Sequence, residues 1–419
     1  MGYRQVRTRQ LCTALLLAAL APATSAAMPL QQAVRSGLAI HPQVRAALAE
    51  VSRAETEVKI ARGGYHPSLS LSGGPQEFDL GETVYDVTVS QMLYDWGRVD
   101  SQVESARATQ RQLSATAQVT REDAALDIVE TYLDVLVAQR RIDAVRRHIR
   151  LLDDIRGMTE ARGSDGYADR SELDRASLEI ARAQEQLALE KGALLDASNQ
   201  FDLLVGSPAE NLAEPRPESM QRYLTTVDLQ RIISDSPLYQ QAVEDTSLAQ
   251  AELRETKAAL LPQLNLEASA TRREIGGRLQ NDSMVNLRLR MDTLQGLSNF
   301  QRPTAAAQRL ESASWGQDAI LRDIRRQLQS LFDIGETLLW REHALAVQVR
   351  DSEQVGSLYR EQFEVGRRDV IDLLTVQRER FEAERQLIVM QVERLRIEYR
   401  AAAQVGLLGP LLENGLNGS

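Results

Sequence analysis

The chain contains 419 residues, of which 43% are hydrophobic and only 5% are aromatic. So few aromatic side chains argue against large globular cores, and the abundance of Ala, Leu, Gln, Arg and Glu is typical of long helices. The formal net charge of −10 at pH 7 argues against a nucleic-acid partner. We therefore expect helices that bury narrow apolar seams against one another.

The first 26 residues have the features of an export signal. Arg4, Arg7 and Arg9 precede an apolar stretch at 11–23, and residues 24–26 form a small-x-small cleavage motif. The stretch is too short to cross a bilayer as a helix, so we predict a signal peptide at 1–26; the alternative is a buried N-terminal helix. Its removal takes away three Arg and no acid, which shifts the net charge from −10 to near −13.

Residue types that carry enzyme chemistry are sparse. Cys12, the single cysteine, lies inside the predicted signal and lacks the preceding small residues of a lipid-attachment site. The four histidines, at 41, 66, 148 and 343, have no second ligand three or four residues away. Nucleophile motifs and phosphate loops are likewise missing. We therefore expect no cofactor, no metal site and no catalytic activity.

One pattern occurs twice along the chain: short helix, strand, turn, strand, long helix, glycine break and second helix. Repeat 1 is predicted at 27–206, a proline-containing linker at 207–227, repeat 2 at 228–412 and a disordered tail at 413–419. The predicted strands lie at 67–73, 83–94, 262–271 and 283–293. The predicted long helices lie at 98–160 and 299–364, with returning helices at 170–205 and 367–405. Little additional structure is expected in the linker and the C-terminal region.

The long helix at 98–160 has apolar residues at steps of three and four, which is typical of a coiled-coil seam. Leu126, Val129, Leu133 and Leu136 illustrate the steps, and no proline interrupts the run. At 1.5 Å per residue this helix is a rod of roughly 90 Å, longer than helices of ordinary globular domains.

The four predicted strands alternate unusually cleanly between apolar and polar residues. The polar face carries charged groups, and these are Glu267, Arg288, Arg290 and Asp292. Such alternation is typical both of a soluble sandwich and of a membrane barrel with a wet lumen. The export signal, the paired hairpins and the lack of other segments to cover the apolar face favour the membrane alternative. Four strands leave open edges, so other copies of the chain would have to close the barrel.

Several segments resemble the TolC family of outer-membrane efflux and type I secretion channels. They include Leu30–Val34 with His41-Pro42, the stretch 61–69 and the stretch 91–98 at the strand-to-helix passage. The resemblance implies a homotrimer in which each chain gives four strands to one transmembrane β-barrel and long helices to a periplasmic α-barrel tunnel. It also implies a location in the outer-membrane lipid, a periplasmic adaptor (membrane fusion) protein and an inner-membrane transporter of the ABC type.

The resemblance further implies an acidic ring at the periplasmic end of the tunnel. Asp372 matches one ring aspartate of the family, whereas Thr375 replaces a second one. Three symmetry-related Asp372 carboxylates around a narrow axis would attract cations and repel anions.

A latch between helices is implied next to this ring. Arg368 matches the linking arginine of the family, and Phe363 stands where a linking tyrosine is common. Glu172, preceded by Ser171, matches the acidic partner, so an Arg368–Glu172 pair would hold the closed state. The alternative is that these residues are solvated charges on helix faces.

Two further sets of residues follow from the resemblance. The helix breaks would dock the adaptor, and the residues concerned are Gly163, Gly166, Val365, Gly366 and Arg367. At a strand end, Tyr94, Trp96 and Gly97 mark the barrel–tunnel junction, either as an interfacial aromatic girdle or as local packing.

Other functions stay open at this stage. A non-conducting periplasmic coiled-coil tether is one alternative, and an exported enzyme is another. Within the channel interpretation, the absence of a lipid-attachment cysteine favours type I protein secretion over drug or metal efflux.

Overall fold

The computed structural model describes residues 27–75, 83–164, 169–215, 220–226, 228–275, 278–291 and 297–414. The predicted signal peptide lies outside the described residues. The helices are α1 Leu30–Ile40, α2 Pro42–Arg62, α3 Arg98–Ser164, α4 Arg170–Val205, α5 Met220–Thr226, α6 Leu229–Asp235, α7 Pro237–Ala258, α8 Arg302–Glu364, α9 Val370–Gln404 and α10 Leu408–Asn414. The strands are β1 Ser68–Pro75, β2 Thr83–Tyr94, β3 Gln263–Ile275 and β4 Arg278–Arg290. The predicted fold class, mainly helical with a small antiparallel sheet, is confirmed.

Two very long helices dominate the molecule. α3 has 67 residues and α8 has 63, which correspond to rods of about 100 Å and about 95 Å. α4 returns along α3 and α9 returns along α8, and the two hairpins pack together through α3 and α9. The low aromatic content is thus accommodated by narrow helix–helix seams.

The four strands and the helices connected directly to them are arranged side by side in the same order. The strands are antiparallel neighbours in the order β1-β2-β3-β4. α2 leads into β1, α3 leaves β2, α7 leads into β3 and α8 leaves β4, and these helices pack side by side in the same order. Sheet and helices therefore form one continuous wall.

The largest apolar cluster lies midway along α3, where α1, α10 and the linker pack against it. The hydroxyl of Tyr132, in α3, donates to the backbone oxygens of Met28 (2.8 Å) and Ala213 (2.6 Å). A parallel bridge pairs Met28 with Leu212. This waist cluster fastens the segments around Met28 and Leu212 to the long helix.

Several element boundaries differ from the sequence-based expectations. β3 extends to Ile275 and β4 starts at Arg278, so the second hairpin is longer than predicted. α9 starts at Val370 rather than at 367, because the preceding residues form a turn. The short helices α5 and α10 occupy regions where little structure was expected, and α10 includes the first residues of the predicted tail. In the part of the chain that the structure describes, no helix is apolar and long enough to span a membrane.

Candidate functional site: the sheet, the junction and the helix ends

The connection between α8 and α9 is a tight turn at one end of the rods. Gly366 has a φ of 75°, a conformation that glycine adopts at little cost. Its N–H donates to the Phe363 oxygen at 3.0 Å, and the Arg367 N–H donates to the Gln362 oxygen at 2.8 Å. This pattern closes a helix C-terminus. Val365 is 69% exposed, so the turn presents an apolar side chain outward.

The corresponding end of the first repeat is described in part. Gly163 lies in the last turn of α3, and Gly166 lies outside the described residues. Asp169 caps α4 by accepting from the Ser171 N–H at 3.3 Å, and Asp369 caps α9 in the same way through the Ile371 N–H. The two caps have φ/ψ of −85°/152° and −85°/150°. The repeats therefore share their helix-starting geometry.

Arg368 contacts residues of its own hairpin. Its Nη1 lies 2.9 Å from Oδ2 of Asp372, and its Nε donates to Oε1 of Gln362 at 3.2 Å. The guanidinium carbon sits 4.0 Å from the ring centre of Tyr359, a cation–π distance. The hydrogen bond that Arg368 donates to the Asp372 carboxylate raises the pKa of Arg368. The structure thus brings Arg368 and Asp372 together as an ion pair.

Glu172 is not joined to Arg368 in the chain. Its Oε2 is buried and accepts no hydrogen bond from the described residues. Burial raises the pKa of Glu172; Asp369 and Asp169 add to the rise, and Arg162 opposes it. The site around Glu172 is therefore rich in negative charge, and the predicted Arg368–Glu172 pair is absent among the described residues of the chain.

Phe363 is fully buried, in an apolar cluster formed by α3, α4, α8 and α9. The guanidinium carbon of Arg162 lies 4.3 Å from the Phe363 ring centre, and its Nη1 donates to the Phe363 oxygen at 3.2 Å. Thr375 donates its hydroxyl to the Ile371 oxygen of its own helix at 2.8 Å. The buried Phe363 side chain consequently packs between the two hairpins and joins them at their ends.

Three residues at these helix ends were not among the predicted site residues: Tyr359, Gln362 and Arg162. Tyr359 lies four residues before Phe363, so both point to the same side of α8. That spacing is visible in the sequence. The pairing of Arg162 with Phe363 joins different repeats and has no sequence signal.

The sheet has one polar and one apolar face. Oε2 of Glu267 lies 2.9 Å from Nη1 of Arg288, and Oε1 lies 3.4 Å from Nη2 of Arg290. Glu267 is only 5% exposed between these two arginines. Asp292 lies outside the described residues. The predicted charged face thus includes a compact Glu–Arg–Arg network.

The opposite face of the sheet is apolar and open. Leu69, Val89, Ala268 and Val285 form one cross-strand row, and Leu71 begins the next. Leu71 is 72% exposed and Val285 is 73% exposed. So large an uncovered apolar surface marks a face that contacts lipid or protein.

The strand-to-helix passage after β2 is tightly bonded. Tyr94 and Trp96 pack edge to face with ring centres 5.0 Å apart, and the indole N–H of Trp96 donates to the Pro262 oxygen at 3.0 Å. Trp96 and Gly97 have φ values of 58° and 81°. The carboxylate of Asp95 accepts from the N–H groups of Gly97 (3.0 Å) and Val99 (2.6 Å). Asp95 therefore starts α3, a role absent from the sequence prediction.

Comparison with known proteins shows where this architecture recurs. Residues 33–207 match the family Outer membrane efflux protein. The pyoverdine export outer membrane protein OpmQ of Pseudomonas aeruginosa is 24% identical over 397 residues, covering 86% of this chain and 80% of OpmQ. Two solved channels have the same fold. The outer-membrane channel OprN gives a TM-score of 0.78 at 18% identity, covering 90% and 89% of the two chains. VceC of Vibrio cholerae gives 0.77 at 14% identity, covering 90% and 96%.

These matches and the fold define an outer-membrane efflux channel with a helical extension into the periplasm. Over residues 33–207 the chain matches the Outer membrane efflux protein family, and over about 90% of its length it has the fold of solved outer-membrane channels. It is accordingly a transport protein and not an enzyme. The prediction of the family and of the location is confirmed.

Proposed function

We propose that the chain is the exit duct of a tripartite export complex, in which three copies close one barrel and one tunnel. An inner-membrane transporter and a periplasmic adaptor would supply energy and continuity. The observation that carries this proposal is the sheet: one face is apolar and exposed, the other is polar, and the edges at β1 and β4 lack partners within the described chain. Unpaired edges are not tolerated in lipid, so neighbouring copies must pair with them.

The gate of this duct lies, in our proposal, at the Arg368–Asp372 pair. Because Arg368 neutralises much of the Asp372 charge, a ring of three such pairs has a weaker field than three free carboxylates. The pair is partly exposed, so its own contribution to stability is small. Its role is electrostatic, and the two residues have opposite effects on ion preference.

Planar-bilayer recording of the purified mature protein tests both statements. Wild-type protein is expected to form discrete, cation-preferring pores. Asp372→Ala is expected to lower the cation-to-anion permeability ratio by about twofold or more, and Arg368→Ala to raise it, since each change removes one sign of charge at a constriction. Thr375→Ala is the matched control with no charge change. Pores that both charge variants leave unchanged would contradict the gate, and the absence of pores from a folded oligomer would contradict the duct.

Two cargo classes have separate support. The sequence features favour type I secretion of a protein through an ABC transporter. The likeness to a pyoverdine export protein favours efflux of small molecules. Deleting the gene in its host and restoring it on a plasmid separates them. If a protein is missing from the culture medium of the deletion strain and present again after complementation, type I secretion is supported. An unchanged secreted proteome with retention of a small molecule inside the cell supports efflux.

A further inference from the structure

A polar cleft lies at the junction of the sheet and the helices, between the start of α3 and the end of α7. Its volume is about 840 Å³. The residues that define this junction cleft here are Trp96, Asp100, Glu104, Arg107, Arg254, Lys257 and Leu261. None of them belongs to the proposed gate.

The cleft has an excess of unpaired positive charge. Asp100 accepts a hydrogen bond from the Tyr65 hydroxyl, and Glu104 pairs with Arg107 at 3.5 Å and with Arg111 at 3.2 Å. The Tyr65 hydroxyl is neutral, so Asp100 keeps its charge, and the lining has three cationic side chains against two carboxylates. Arg254 and Lys257, one helical turn apart on α7, are exposed and form no ion pair with any residue that the structure describes. A ligand for this cleft should be an anion.

The cleft opens on the lipid side of the wall. Tyr94 pairs with Leu264, which belongs to the apolar face of the sheet, and Trp96 packs against Tyr94 beside the cleft. Arg107 lies 18 residues, or about five helical turns, before Ala125, so both point the same way from α3. Ala125 packs in the waist cluster together with α1 and α10. Such a layer on the inner side would obstruct a lumen, so this direction is outward.

The position of the sheet determines the level of the junction cleft relative to the bilayer. The exposed apolar face ends at Tyr94 and Leu264, and the cleft begins directly below. Aromatic rings with one polar edge favour the level of lipid headgroups, and Tyr94 and Trp96 are both half-exposed there. Arg254 and Lys257 consequently lie at the membrane surface on the periplasmic side.

From this arrangement we infer that the junction cleft binds the headgroup of an anionic phospholipid in the periplasmic leaflet. Arg254 and Lys257 donate charge-assisted hydrogen bonds to the phosphate oxygens, and Trp96 packs against the glycerol and upper acyl region. The inference depends on the sheet lying in the membrane. Its consequence is a fixed height of the helices relative to the bilayer surface.

Quenching of Trp96 fluorescence tests the site. Trp315→Phe and Trp340→Phe, both at exposed positions of α8, leave Trp96 as the single tryptophan. The full-length mature protein is reconstituted in phosphatidylcholine vesicles that contain a rising fraction of brominated phosphatidylglycerol or brominated phosphatidylcholine. Each basic residue at an anionic surface contributes about a factor of five, so with two such residues phosphatidylglycerol should bind about twenty-five-fold more tightly. Raising the salt concentration should reduce this preference.

Arg254→Gln with Lys257→Gln should bring the relative binding constant close to one. Arg175→Gln with Lys191→Gln, which removes the same two residue types from exposed positions of α4, is the matched control and should keep the preference. Equal quenching by both lipids, or an unchanged preference in the cleft variant, would overturn the site. So would displacement of the lipid by inorganic phosphate at constant ionic strength. Pores without lipid preference would reject this inference alone, whereas a missing pore rejects the duct.

Discussion

At the scale of single residues, the burial of His148 determines how the stability of the long helices depends on pH. His148 of α3 is buried and stacks on Phe381 of α9, with ring centres 4.2 Å apart and an angle of 2° between the planes. Burial lowers the pKa of His148 to about 4, and Arg380 contributes. The folded protein thus keeps this imidazole neutral under conditions in which an unfolded chain would protonate it.

Stability should therefore fall as the pH drops from 6.5 to 4. In this window the unfolded state binds the proton that the folded state excludes, so the free energy of unfolding rises with pH, by up to about 3 kcal/mol in total. His148→Phe should remove that part of the pH dependence. Thermal melts in detergent between pH 7 and pH 4 measure it, with His343→Phe at an exposed position as the control. A variant at 148 with the wild-type pH slope would refute the assignment.

Residue-level pairing was the least predictable part of the site. Asp372 and Arg368 were predicted as gate residues, Arg368 as part of a latch, and the structure joins the two to each other as an ion pair. The expected partner of Arg368 was Glu172, on the other hairpin. Side-chain pairs between hairpins depend on helix rotation and rotamers, and the order of residues along the chain contains no such information.

At the scale of elements, the positions of glycine and proline along the chain were informative. Glycine breaks and long proline-free runs predicted the rods and their turns because these residues act locally. The observed helix boundaries differ from the predicted ones where a helix cap or a turn determines them. Asp369 caps α9, so the helix starts after it and not at 367. The short helices α5 and α10 pack on the waist cluster, and tertiary contacts of this kind stabilise segments with weak local signals.

The ends of α3, α4, α8 and α9 are held together by Phe363. Phe363→Ala should cost about 3–5 kcal/mol, because a fully buried aromatic ring leaves a cavity among four helices. Amide hydrogen exchange at the helix ends and the melting temperature measure the loss. Val365→Ala, two residues away at an exposed position, should change stability by no more than about 0.5 kcal/mol. Similar effects of the two variants would contradict a packing role for Phe363.

At the scale of the whole molecule, the two faces of the sheet have different solvents. Leu287→Lys places a charge on the apolar face and should impair insertion, at a cost of about 2–4 kcal/mol near the bilayer centre. Asn286→Lys, the adjacent position on the polar face, should insert normally. Protease protection after mixing with phosphatidylcholine vesicles distinguishes them. Equal insertion of both variants would show that the apolar face does not meet lipid.

The lengths of the rods have a consequence for how such a protein can change. The 67 residues of α3 run beside the 36 of α4, and the 63 of α8 beside the 35 of α9. A heptad inserted in one of them would shift its end by about 10 Å and misplace the matched Asp169 and Asp369 caps. A longer or shorter duct therefore requires coordinated insertions in all four helices. The length of the helical part can therefore change only through matched insertions in all four helices, and an insertion in a single helix should be selected against.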